Sequence, residues 1–591
     1  MSGVDNACGI VNTPVAYFVY DSVKPMVQGE QTHMVTLAGR HAFLQILQAA
    51  GVDHMFGNPG TTELPMMDVL PDYPEMNYIL TLQEGVAMAA ADGYAMASGK
   101  LGVVNLHAAP GLGNAMGMLY DATKTAPPLL VTAGQQDGRY AFTEPILWGD
   151  LVRMVESMTK WAYQIERVSD LPQAVRRAIK VATTPPTGPV FLGLPMDIMM
   201  AEAELDLSPP SQVGPRIRGD LAAMQRAVTL LANAQHPVII VGDGVSKSDA
   251  LDEMVAVAEV LGARVVSGTL PNRTSFPTDH PLYQGPLPRT QQAVRASLQE
   301  ADVVFTVGAD MFTMSLYSDI EPLPPEVAVV CLDVDPWEMG KNYAVDVAIL
   351  GDPKATLTEM VPMIGNLMSE ASRQTAAQRS ETLRRAKVEA QQRLRAQAAE
   401  ETSKTPMSAL AMNHVIATTV PEDICIVDES LTSDVALRDL LPRRHPRDYF
   451  GLKGGGIGWG LPATVGATLA RRDQPVLGLI GDGSAMYSIQ ALWTAARYGL
   501  RSIFVICNNG QYLILKRRLH AYNGPAAKAQ QYVGIDLVHP TIQFVDLAKS
   551  LGVHGVRAAG AADFKQALKE ALQRHGPTLI DVAIEADFST A

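Results

Sequence analysis

The chain of 591 residues reads as an α/β protein of three doubly wound parallel-sheet domains. Three observations predict this. Short apolar runs alternate with Gly-rich turns and helical patterns along most of the sequence, the signature of a parallel sheet covered by helices. At about 150 residues per domain the length supports three or four domains, and 47% hydrophobic against 18% charged residues supplies several full cores. Two segments divide the pattern. One is the proline-bearing stretch 207–219, and the other is the charged, helical stretch 369–402, which has few large apolar residues and reads as a solvated connection.

The elements follow in order. Residues 1–33 carry Asp5, Asp21 and Glu30, lack Arg and show no small-residue cleavage site, so they fit poorly as a signal or transit peptide. They are either an N-terminal extension, or Met34 is the natural start. The first domain spans 34–206, with strands expected at Tyr78–Leu82, Gly102–Leu106 and Leu129–Val131. The second spans 220–364, with strands at Pro237–Val241, Arg264–Ser267, Asp302–Val307 and Ala328–Leu332. A linker helix occupies 365–405. The third domain spans 406–591, with strands at Ile424–Val427, Pro475–Ile480, Ser502–Cys507 and Thr578–Val582.

Composition excludes several classes. The net charge of −14 disfavours nucleic acid, whose phosphates need clustered Lys and Arg. The four cysteines, Cys8, Cys331, Cys425 and Cys507, have no paired spacing. A disulfide scaffold or zinc cluster is not expected, and a reducing cytoplasm fits. No apolar run approaches the roughly 20 residues of a membrane helix.

The third domain carries the most specific motif. A buried strand ends at Gly481-Asp482-Gly483-Ser484, a helix is expected over Tyr487–Tyr498, and a second strand ends before Asn508-Asn509-Gly510-Gln511. In one right-handed βαβ unit both strand ends lie on the same sheet edge. Asp482 and Asn509, 509 − 482 = 27 positions apart, then converge. A carboxylate, an amide oxygen and a backbone carbonyl make a hard-oxygen site for Mg²⁺ or Ca²⁺, and glycines before a helix start admit a phosphate. A metal-bridged diphosphate satisfies all of these. Gly242-Asp243-Gly244 repeats the tripeptide without a following Asn-Asn.

G-D-G-S followed by N-N is the thiamine diphosphate signature. The surrounding GDGSAMYSIQALWTAARYG, with FGNPGTTELP at 56–65, LTLQEGVAMAAADGYA at 80–95, NLHAAPGLGNAMG at 105–117, VTAGQQ at 131–136 and GGGIGWGLP at 454–462, resembles the thiamine diphosphate-dependent 2-oxo acid decarboxylases and carboligases, benzoylformate decarboxylases above all. The resemblance implies a pyrimidine-binding first domain, a cofactor-free middle domain and a diphosphate-binding third domain. Each cofactor then lies between two chains, in a homodimer at minimum and commonly a homotetramer.

The resemblance also assigns roles. Glu84, by position alone equally a helix-start carboxylate, would bond N1′ of the aminopyrimidine. Ile457 would wedge the cofactor into its bent form, with the Gly455 carbonyl accepting from the amino group. Gly483, Ser484, Thr432 and Tyr512 would contact the cofactor near its diphosphate. Asp482 and Asn509 would ligate the metal by side chain, and Gln511 by its carbonyl. His107 would act beside the reacting carbonyl, as imidazole can near neutral pH, and Thr61 would hold the substrate carboxylate. Gln135 and Gln136 are further pocket candidates.

Two departures bear on the substrate. Ser315 aligns with a second active-site histidine of the decarboxylases, and Arg518 with an aromatic that packs on the substrate ring. If Arg518 faces the pocket it favours an anionic or polar substrate. The expected activity is decarboxylation of a 2-oxo acid through a C2 carbanion and an enamine. The alternative is a carboligase or lyase of the acetolactate synthase or benzaldehyde lyase type, with an aldehyde as partner.

Overall fold

The computed structural model describes residues 33–314, 317–472 and 474–586. Most of the 1–33 segment and Ser315 lie outside the described residues. Three six-stranded parallel sheets carry the fold. The first runs in spatial order Asn77–Leu80, His54–Gly57, Gly102–Leu106, Leu129–Gln135, Pro189–Pro195, Ala162–Gln164. The second runs Tyr283–Pro286, Arg264–Ser267, Pro237–Val241, Val303–Val307, Ala328–Asp333, Val347–Leu350. The third runs Tyr449–Gly451, Cys425–Glu429, Val476–Gly481, Ser502–Asn508, Thr578–Ala583, His554–Ala558. A two-stranded antiparallel ribbon, Met34–Ala38 with Glu202–Asp206, stands apart from the first sheet.

The central strands are unbroken apolar runs because both faces of each sheet are covered. Val103 and Leu130 pack into one cluster while their neighbours Val104 and Val131 pack into another. Ile239 and Val238 divide in the same way in the second sheet, as do Leu479 and Ile480 in the third. One cluster holds both Val104 and Ile480, so the first and third domains share a core. Two helices form that junction, Glu84–Ser98 and Gly460–Ala470. They touch backbone to backbone, since a Cβ on Gly93 would overlap Ala463 and one on Gly466 would overlap Ala90.

Two local expectations change. The helix expected over Tyr487–Tyr498 is shorter, Ala491–Arg497, and a separate short helix, Asp482–Ala485, precedes it. The connecting helix, Glu370–Glu401, is not simply solvated. Lys387 is buried and donates to the carbonyls of Thr278 and Tyr283, both at 2.7 Å, which fastens the helix to the middle domain.

Each sheet reverses its winding near its centre, and open α/β sheets bind ligands in the crevice at such a reversal. In the first sheet the crevice lies between His54–Gly57 and Gly102–Leu106, and in the third between Cys425–Glu429 and Val476–Gly481.

Candidate active site

The reversal in the third sheet carries Asp482. Its Oδ2 accepts from Gly510 N at 2.6 Å and its Oδ1 from Gly483 N at 2.8 Å. One hydrogen bond thus joins the Gly-Asp-Gly turn to the Asn-Asn-Gly turn, and Asp482 and Asn509 converge. Burial pushes the Asp482 carboxyl up to about 6, although backbone N–H donors oppose that rise. Asn509 Oδ1 accepts from Gln511 N at 3.0 Å. The Gln511 side chain turns away, donating to Ala586 O at 2.8 Å and accepting from Lys516.

The donor set fits a metal held jointly with a diphosphate. Among the described residues no group of three or more His, Cys, Asp and Glu side chains is placed to hold a metal alone. Mg²⁺ commonly takes one or two carboxylates and completes its shell with phosphate oxygens. A cavity of about 220 Å³, lined by Asp482, Asn508, Asn509, Gly510 and Arg557 among others, opens beside these groups. Tyr512 is half-buried next to Gly483. Thr432 is half-buried in the loop after Cys425–Glu429, where Leu431 holds a positive φ of 58°. Such strain in a branched residue persists only where the surroundings impose it.

Ser484 is buried and its hydroxyl bonds Glu429. Glu429 also accepts from the backbone N–H groups of Gly458 and Gly460. Burial raises its carboxyl to about 8. It therefore braces the segment bearing Gly455, which is exposed, and Ile457, which is half-buried.

The reversal in the first sheet carries the other half-site. Glu84 is the buried first residue of its helix, and Asn114 Nδ2 donates to its Oε2 at 3.1 Å. His107 ends the strand-to-helix turn after Gly102–Leu106. Its Nδ1 lies 2.9 Å from Glu63 Oε2 and 3.0 Å from Thr62 Oγ1. Glu63, with no exposed side-chain surface, also accepts from Gly60 N at 2.8 Å, Gly134 N at 3.0 Å and Thr62 Oγ1 at 2.6 Å. Thr61 is exposed on the same turn.

The sequence reading passed over Glu63, Thr62, Asn114 and Glu429. Only Glu63 had a local signal, a carboxylate three positions after Gly60, the spacing at which a side chain reaches back to a turn's N–H. Gln135 and Gln136 brace a neighbouring loop, donating to Gly149 O at 2.9 Å and Ile146 O at 3.0 Å. Arg518 is half-buried on the helix Leu513–Tyr522 and forms no ion pair among the described residues.

Two sheet-reversal crevices, one carrying Asp482 and Asn509 beside a cavity and the other a buried glutamate and an oriented histidine, are the kind of site that holds a cofactor. The chain belongs to the thiamine pyrophosphate enzyme family. The family's N-terminal TPP binding domain matches residues 37–146, its central domain 224–360 and its C-terminal TPP binding domain 432–582. The chain is 33% identical to a benzoylformate decarboxylase of Pseudomonas aeruginosa over 545 residues, covering 92% of this chain and 98% of that one. It is 28% identical to a probable acetolactate synthase large subunit of Methanocaldococcus jannaschii, covering 93% and 92%. Among solved structures, a 4-hydroxybenzoylformate decarboxylase of Rhodococcus jostii RHA1 superposes with a TM-score of 0.81 at 30% identity, covering 94% and 100%. A benzoylformate decarboxylase of Polynucleobacter necessarius gives 0.82 at 28%, covering 93% and 99%. No helix among the described residues is long and apolar enough to cross a membrane.

Proposed function

We propose that the protein decarboxylates a 2-oxo acid, using thiamine diphosphate and Mg²⁺ bound between two copies of the chain. The observation that carries this reading is the Glu63–His107 pair at the same sheet edge as Glu84. When bound, thiamine diphosphate would supply the carbanion chemistry and the electron sink that decarboxylation needs. Residues of this chain do the rest. Glu84 holds the aminopyrimidine in its reactive tautomer. Glu63 occupies His107 Nδ1, which leaves Nε2 to give or take the proton at the reacting carbon. Thr61, exposed beside them, offers a hydroxyl to the substrate carboxylate. Asp482, Asn509 and the Gln511 carbonyl hold the metal. Gly483, Ser484, Thr432 and Tyr512 frame the diphosphate.

The helix junction supports a dimeric site. Gly93 meets Ala463 and Ala90 meets Gly466, so the two helices run antiparallel. Glu84 precedes Gly93 by nine residues, or about 13 Å at 1.5 Å per residue. Ile457 lies beyond the opposite end, where Trp459 Nε1 donates to Asp92 at 2.6 Å. One cofactor cannot meet Glu84 and Ile457 of a single chain. The exposed apolar residues Phe142, Ile146, Met486 and Tyr487 follow the two half-sites in sequence, as surfaces covered by a second copy would.

The carboligase reading has one specific support. The resemblance aligns Ser315 with a second histidine of the decarboxylases, and a serine in that role would slow protonation of the product and leave time for a second carbonyl compound to react. Incubation with pyruvate, benzoylformate and benzaldehyde separates the two readings. Aldehyde as the main product supports decarboxylation, and acyloin or acetohydroxy acid as the main product overturns it.

A further inference from the structure

The helix Ala108–Thr125 opens at His107 and ends against the other half of the chain. Near that end Asp121 is completely buried. Its Oδ1 accepts from Gly456 N at 3.0 Å, and its Oδ2 is buried with no hydrogen-bond partner. The side chain lies directly on the glycine run. A Cβ at Gly454 would overlap Asp121 Oδ1, and one at Gly456 would stand 2.7 Å from Oδ2. Gly455 between them holds a φ of 88°, which suits glycine. Gly454 and Gly456, and with them the segment that carries Ile457, are held close by this one carboxyl.

We propose that Asp121 is a positioning residue that sets the Gly454–Ile457 wedge for thiamine diphosphate. The proposal rests on the cofactor reading above. From His107 to Asp121 is 14 residues, about 21 Å of helix. The helix that opens at one half-site therefore sets the wedge of the other. In the dimer these half-sites belong to different cofactors.

The charged groups facing Asp121 are carboxyls, Asp92 from the helix Glu84–Ser98 and Glu429 from the strand Cys425–Glu429. Burial, with the Asp92 charge adding to it, raises Asp121 to about 7. Below that pH the group is neutral and leaves the wedge undisturbed. Above it an unpaired buried charge lies against Gly454 and Gly456 and drives the wedge out of position.

The test is thiamine diphosphate titration of the full-length protein in Mg²⁺ buffer, read by calorimetry at pH 6.0 and pH 8.5, for wild type, Asp121→Asn and Asp121→Ala. Asp121→Asn keeps an acceptor for Gly456 and cannot ionise. It should match wild type at pH 6.0 and bind roughly tenfold tighter than wild type at pH 8.5. Asp121→Ala should bind at least about tenfold more weakly than Asp121→Asn at both values. An Asp121→Asn to wild-type affinity ratio that does not change with pH overturns the proposal, and this arm decides if Asp121→Ala fails to fold. Wild type that does not bind thiamine diphosphate at all overturns the cofactor reading instead.

Discussion

Glu63→Gln is the sharpest perturbation of the proposed proton path. Both carboxylate oxygens are fully used. Oε2 accepts from Gly60 N and lies 2.9 Å from His107 Nδ1, while Oε1 accepts from Gly134 N and Thr62 Oγ1. An amide nitrogen at the Oε2 position opposes the Gly60 N–H and forces His107 Nδ1 to become an acceptor. The ring proton then moves to Nε2, and the imidazole reaches the substrate in the wrong tautomer. An amide nitrogen at the Oε1 position instead leaves the buried Gly134 N–H without a partner. Either orientation strands one donor, which costs about 1–3 kcal/mol of stability. Loss of a positioned acid–base group costs 10²–10⁴-fold in rate, or roughly 3–5 kcal/mol in the barrier. The rate effect exceeds the folding effect, so the folded variant should lose turnover of pyruvate or benzoylformate with a nearly unchanged KM. The assay is steady-state kinetics across pH 5.5–8.5 with thermal unfolding in parallel. A folded Glu63→Gln enzyme with wild-type kcat and an unaltered pH profile would refute the chain from Glu63 through His107 to the substrate.

Further outcomes follow from the same geometry. Glu84→Gln should slow exchange of the cofactor's C2 proton by about 10²-fold or more, measured by deuterium exchange; exchange at the native rate would remove Glu84 from its role. Dialysis against a chelator should abolish activity, with Mg²⁺ and thiamine diphosphate needed together to restore it. Asp482→Ala should weaken both ligands, and recovery with thiamine diphosphate in metal-free buffer would contradict the metal site. Arg518→Phe should raise kcat/KM for benzoylformate relative to pyruvate about 2–10-fold, the value of an aromatic contact of about 0.5–1.5 kcal/mol. An unchanged ratio would place Arg518 outside the pocket.

Legibility in the sequence tracked burial. The strands Gly102–Leu106, Pro237–Val241 and Arg264–Ser267 fall where their apolar runs predict, because a strand covered on both faces has no polar register to blur its ends. Ala162–Gln164 is half-buried, and Tyr283–Pro286 has two of its four residues exposed. Such short edge strands borrow their conformation from a neighbour, and their own residues did not mark them. The site divides in a similar way. Asp482 and Asn509 were legible because one βαβ crossover fixes where they meet. Glu63 was not, since Gly134, on a strand, and His107, just past another, come to it from 71 and 44 positions away. Local spacing carries no trace of that meeting.

The repeated tripeptide shows why a motif alone did not locate the site. Gly242-Asp243-Gly244 and Gly481-Asp482-Gly483 both follow a central strand at a sheet reversal. In the middle domain the glycines serve close packing, since a Cβ on Gly244 would stand 2.5 Å from Gly308 Cα. Asp243 there is already spent. It pairs with Lys453 Nζ at 2.7 Å and accepts from Asn272 N and Arg273 N, each at 3.2 Å. The Lys453 ammonium and neighbouring cations hold its carboxyl below the usual range against the opposing effect of burial. Asp482 receives only backbone N–H donors, and burial lifts its carboxyl. A buried carboxylate without a cation is unfavourable unless one is supplied. At Asp243 the chain supplies it through Lys453, three residues before Gly456 in the wedge segment. At Asp482 no cationic side chain bonds the carboxylate, and the proposed diphosphate-bound metal would supply one there. The same three residues thus serve as a structural tie in one sheet and, on the proposed function, as a metal ligand in the other, and the charge partner separates the two.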